Sequence, residues 1–185
     1  MLRTAEEQIR KLAAVTSVML MAAAEALAQD KQAATARRIV ISIPDRKLAV
    51  LEDNRVVKIY STAVGTPASP SPTGSFKIAT RLMHPTWYTK GKIVPPGKSN
   101  PLGTRWMGLS LKGYGIHGTS DPASIGHNAS HGCIRMRNRD AEELFEIVAV
   151  GDQVELYGEH TPELDHIFGR VLVAHATPSG SGPAQ

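Results

Sequence analysis

Cys133 is the only cysteine among 185 residues, and it sits in the stretch ASHGCIRM (129–136), directly after Gly132 and close behind His131. Thiol catalysis needs a thiolate, a base to create it, a group that fixes the base's tautomer, and donors for a developing oxyanion. Each has a candidate. His117 closes the strand-like YGIHG (114–118), where a rigid strand end can aim an imidazole at a thiol on a neighbouring loop. Gly118 and Gly132 permit close backbone approach or positive φ beside both groups. The amides of Gly132 and Cys133 are the candidate oxyanion donors.

Two other uses of the same residues compete. A lone cysteine can be an inert buried thiol or an intermolecular link. His117, His127, His131 and Cys133 are all zinc-capable, yet neither C-x-x-C nor H-E-x-x-H spacing occurs and Asp121 is the one evident supporting carboxylate, so no metal is expected. Between the histidines, His131 is nearer in sequence, but the intervening glycine disturbs the alternation that puts residues two apart on one face. His117 is therefore favoured as the base, with His131 shaping the loop or the oxyanion site. His84, His127, His160, His166 and His175 read as solvated side chains.

The elements that must hold this site are mostly strands. RIVISI (38–43), KLAVLE (47–52) and RVVKIYSTAV (55–64) are β-branched runs separated by turn residues, which predicts a meander of hairpins. The Pro- and Gly-broken stretch 65–78 predicts a shaped loop before SFKIAT resumes as a strand. Residues 81–104 read as a long loop, a lid or substrate wall, in which Trp87 either lines a site or packs on the sheet, as does Trp106 beyond it. RWMGLSL (105–111) and YGIHG predict strands. In 138–151, Ala141, Leu144, Phe145 and Val148 fall on one helical stripe, with Asn138 as N-cap and Gly151 as stop, and DQVELY (152–157) closes the domain as a strand. The expected fold is a mostly β mixed sheet or sandwich with one helix after the catalytic loop.

Arg10 and Lys11, the apolar run 12–24 and ALA (26–28) predict a secretory signal peptide over 1–28, followed by a linker at 29–37. The apolar run is too short for a comfortable membrane span, which needs about 20 residues. A catalytic domain over 38–157 then leaves a C-terminal extension, 158–185, with a candidate strand at 169–174 and a tail by composition. The formal charge of +4 suits an anionic polymer. There is no basic run or aromatic-interleaved basic stripe, so nucleic acid is not the expected partner.

IHGT (116–119), a spacer and SHGCIRM (130–136), with SPTGSF (71–76) and NPLG (100–103) upstream, resemble the catalytic domain of bacterial L,D-transpeptidases over roughly 37–157. The resemblance implies Cys133 as nucleophile and His117 as base, oriented here by the carbonyl of Gly118. Arg135 stands where the family often has asparagine. It is either a partner for a substrate carboxylate or an ion pair with Asp140 or Glu142. Arg135, Ser130, Trp87 and Tyr114 are the candidate substrate contacts, although Ser130 more readily bonds its own loop.

What the resemblance implies chemically is acyl transfer on peptidoglycan stem peptides without a cofactor. Cys133 takes the acyl group from the bond before a D-alanine, and an amine of a neighbouring stem resolves the thioester. Hydrolysis to an L,D-carboxypeptidase product, attachment of a protein to the wall, and a non-catalytic envelope-binding module are the alternatives. Export to the periplasm or cell envelope and covalent reaction with carbapenems are further expectations; oligomeric state is not legible.

Overall fold

The structure is a computed structural model that describes residues 37–169. The expected signal peptide (1–28), the linker up to residue 36 and the candidate strand 169–174 beyond Gly169 lie outside the described residues.

Strands β1 (Arg37–Ser42) and β2 (Lys47–Glu52) are apolar almost without interruption because both of their faces are covered. Ile39, Ile41, Leu48 and Val50 enter the main core, whereas Val40, Ala49 and Leu51 point the other way into a second cluster. With β3 (Arg55–Ser61) they form the expected antiparallel meander.

The sheet continues through β5 (Gly74–Met83), β8 (Arg105–Leu109), β9 (Gly115–His117), β11 (Ile134–Arg135) and β12 (Gln153–Tyr157), in the order β11-β9-β8-β5-β12-β1-β2-β3. β5 pairs with β12 through its first half and with β8 through its second, with a register shift between Ile78 and Thr80 that re-aims the strand. β5 thereby joins the meander to the strands that carry His117 and the cysteine loop. Two short strands, β4 (Val64–Gly65) and β10 (Asn128–Ser130), pair in parallel and tie that loop to the turn after the meander.

Four expectations about the elements are corrected. Residues 81–104 are not one loop: β5 runs on to Met83, and β6 (Trp87–Thr89) and β7 (Lys92–Val94) form a hairpin. The alternation there is short and interrupted by prolines, so the period is weak.

Helix α1 (Asn138–Ile147) buries Ala141, Leu144 and Phe145 as expected, but its N-cap is Arg137, and Asn138 turns its side chain elsewhere. The helix stops at Val148 in extended conformation, and Gly151, with φ +100°, belongs to the following turn.

A second helix, α2 (Pro162–Phe168), replaces the single helix expected among the described residues. Thr161 Oγ1 accepts the Leu164 N–H at 3.2 Å, Pro162 occupies the first turn and Gly169 ends the helix in the left-handed region. Leu164 and Ile167 close the second cluster over Val40, Ala49 and Leu51. Truncating such a fully buried leucine costs about 2–5 kcal/mol.

Candidate active site

β9 and β11 lie side by side in parallel, with Ile116 opposite Ile134 and His117 opposite Arg135. Alternation along the chain then directs Cys133 to the face that carries Arg135 and His117, level with Gly115. Cys133 and His117 line the same cleft. The Gly115 N–H faces the sulfur, and Cys133 Sγ lies 3.6 Å from the Gly113 carbonyl.

His117 is only 4% exposed. Its Nδ1 donates to the Gly118 carbonyl at 2.6 Å, and since a carbonyl can only accept, Nδ1 carries the proton and Nε2 keeps its lone pair. The indole of Trp106, its partner across the β8–β9 ladder, stacks on the ring with centroids 5.6 Å apart and planes at 27°. The indole lies over Gly108 and Gly115, where any side chain would displace it. Trp106 therefore packs on the sheet, and in doing so it holds the imidazole.

Burial pushes the His117 pKa down to about 4, with the charge of Arg135 acting in the same direction and the Gly118 and Leu102 carbonyls opposing. Burial likewise pushes the Cys133 thiol up, against the Gly115 N–H and Arg135, which both lower it. At neutral pH the resting pair is a neutral thiol and a neutral imidazole. Such a pair transfers its proton as the sulfur attacks rather than storing an ion pair beforehand.

The cysteine loop is built on Ser130 and Gly132. Ser130 Oγ donates to the Cys133 carbonyl at 2.6 Å and accepts the Gly132 N–H at 3.0 Å. The Gly132 amide, expected at an oxyanion, is thus engaged within its own turn and is released only if Ser130 rotates. Gly132 has φ +107°, and a Cβ there would come within 2.7 Å of Tyr114 Cε1 and 3.1 Å of the Pro70 carbonyl. Tyr114, expected to touch substrate, packs behind Gly132 against the core instead of lining the cleft.

A cleft of about 490 Å³ brings together Trp87, Leu102, His117, Ser130, His131, Cys133 and Arg135. A second, of about 320 Å³, reaches Cys133 from the side of Leu82, Tyr88 and Trp106. Trp87, Leu102, Gly113 and Cys133 line both, so Trp87 of β6 borders two approaches to one sulfur. A cavity of about 450 Å³ between Thr73 and Thr161 holds neither Cys133 nor His117.

Arg135 makes no ion pair among the described residues; it is Arg137 that approaches Asp140, at 4.0 Å. Nor do the described residues hold any cluster of three or more His, Cys, Asp or Glu side chains that could bind a metal. No described helix is long and apolar enough to cross a membrane.

Asn138 is the residue that sequence reasoning missed. Its Oδ1 accepts the Thr119 N–H at 3.0 Å and the Thr104 N–H at 3.3 Å, so the start of α1 is stitched to the two segments around His117. Its only sequence signal is an asparagine at a helix start, which reads equally as a cap.

The family model of the L,D-transpeptidase catalytic domain (YkuD) matches residues 36–156. The YkuD protein of Bacillus subtilis strain 168 is 42% identical over 118 residues, which are 64% of each chain. The YqjB protein of the same strain is 38% identical over 121 residues, covering 63% of this chain and 68% of that one. Among solved structures, an L,D-transpeptidase from Mycobacterium smegmatis superposes with a TM-score of 0.57 at 23% identity, over 66% of this chain and 59% of its own. The avibactam carbamoyl enzyme of Ldtfm gives 0.58 at 25% identity over 68% and 50%. A further neighbour, LdtMt1 solved in complex with imipenem, gives 0.56 at 23% over 66% and 59%. On this match over residues 36–156, which takes in the cysteine loop, the chain belongs to the L,D-transpeptidase catalytic-domain family.

Proposed function

We propose that the protein is an exported peptidoglycan L,D-transpeptidase in which Cys133 is the nucleophile and His117 its base. The observation that carries this is the meeting of two clefts at one sulfur beside a buried, neutral, Nδ1-protonated imidazole. A two-substrate acyl transfer needs separate approaches for donor and acceptor, and a base with a free lone pair.

As Sγ bonds to the donor's carbonyl carbon, its proton passes to Nε2 of His117. The tetrahedral oxyanion collapses, the C–N bond to D-alanine breaks, and Nε2–H protonates the departing amine. The remaining thioester is attacked by the acceptor's amine, which gives its proton to Nε2. The new amide forms as Cys133 leaves as a thiol. Arg135 pairs with a carboxylate of the stem peptide, and Trp87 forms the wall shared by the two approaches.

Purified muropeptides incubated with the wild type and with Cys133→Ala, then analysed by mass spectrometry, test this. A cross-linked dimer made only by the wild type supports transpeptidation. Loss of D-alanine alone makes the protein a carboxypeptidase, and no change in either sample leaves a binding module. Carbapenem treatment of the wild type is expected to add one inhibitor mass at Cys133.

A further inference from the structure

The 118–119 peptide has two ends, and each is held. Its carbonyl, on Gly118, accepts from His117 Nδ1 at 2.6 Å. Its N–H, on Thr119, donates to Asn138 Oδ1 at 3.0 Å. A trans peptide is planar, with C=O and N–H pointing in opposite directions. Whatever fixes the N–H therefore fixes the direction of the carbonyl.

Glycine on both sides makes room for this oxygen. A Cβ on Gly118 or on Gly103 would collide with Asn138 Oδ1. The same oxygen also accepts the Thr104 N–H, two residues beyond Leu102, whose carbonyl faces the imidazole as well. Both carbonyls around His117 thus belong to segments gathered by one side-chain amide from α1.

We infer that Asn138 is a positioning residue that sets the tautomer of His117 through the 118–119 peptide plane. Asn138 is not among the residues that line either cleft. It acts by holding the Gly118 carbonyl in place as the acceptor for Nδ1–H, which leaves the lone pair on Nε2. The link from tautomer to turnover rests on the proposed base role of His117; the link from Asn138 to tautomer does not.

The test is the 15N spectrum of the His117 ring in the full chain, read beside kcat/KM for acyl transfer. The wild type is expected to give the Nδ1–H pattern. Asn138→Ala is expected to mix the two tautomers and to lower kcat/KM by about a hundredfold, the order of loss that a small misplacement of a catalytic group produces. Asn138→Asp keeps an acceptor oxygen, so it is expected to restore the Nδ1–H pattern and to bring the rate back to within about tenfold of wild type. Gly118→Ala, which keeps Asn138 but drives its oxygen away, gives the same ring signature as Asn138→Ala and serves if that variant does not fold. An unmixed Nδ1–H pattern in Asn138→Ala or Gly118→Ala overturns the inference, as does an Asn138→Asp ring that stays mixed. If the wild type transfers no acyl group, the base role falls while the ring spectra still decide the role of Asn138.

Discussion

Trp106 and His117 face each other across the β8–β9 ladder, and their rings stack at 5.6 Å, so the indole covers one face of the imidazole. An aromatic pair of this kind contributes about 1 kcal/mol beyond its buried area. Trp106→Phe is expected to keep most of the carbapenem acylation rate, whereas Trp106→Leu loses at least about tenfold as the ring gains freedom. Stopped-flow acylation, with urea unfolding as the control for stability, separates the two effects.

Acid should weaken the fold through His117. Its folded pKa, about 4, lies below its ordinary 6.5, so as pH falls the unfolded chain takes the proton first. The stabilisation is complete above 6.5 and disappears between 6.5 and about 4, amounting to about 3 kcal/mol. Urea unfolding of the wild type and of His117→Gln at pH 7 and pH 4.5 checks this: the wild type is expected to lose more stability on acidification. Equal losses would mean that the buried ring is not the cause.

The rate should also follow the neutral pair. With His117 unprotonated down to about 4 and the Cys133 thiol held above its usual range, kcat/KM is expected to stay level from about pH 5 to pH 8. Arg135 lowers the pKa of both groups, so Arg135→Ala moves the acid limb upward as well as raising KM, and Arg135→Lys restores the limb better than KM because a point charge replaces a planar fork. A pH–rate series on the three proteins measures both.

Gly132→Ala is expected to cost about 1–3 kcal/mol, since φ +107° is strained for any side chain, and to abolish acylation by moving the cysteine loop. The new Cβ also meets Tyr114. Adding Tyr114→Ala should therefore recover part of the unfolding free energy without recovering the acylation rate. Full recovery of both would place the strain in the ring contact alone.

Local chemistry settled much of this molecule. The lone Cys133 beside Gly132, His117 at a strand end and the stripe Ala141, Leu144, Phe145 are legible because each needs only nearby residues to be understood. Helix α2 was not read from the sequence: Thr161, Pro162 and Gly169 are local signals for its ends, but its apolar residues are few and make sense only against Val40 and Leu51 on the far face of the sheet. The partnerships of the site lay beyond local reach. That Trp106 covers His117, that Tyr114 supports Gly132 from behind, and that Asn138 reaches Thr119 and Thr104 instead of capping its helix follow from strand register and close approach between distant segments. Sequence fixes which groups are available, but which donor meets which acceptor depends on where chain segments far apart in sequence are brought together.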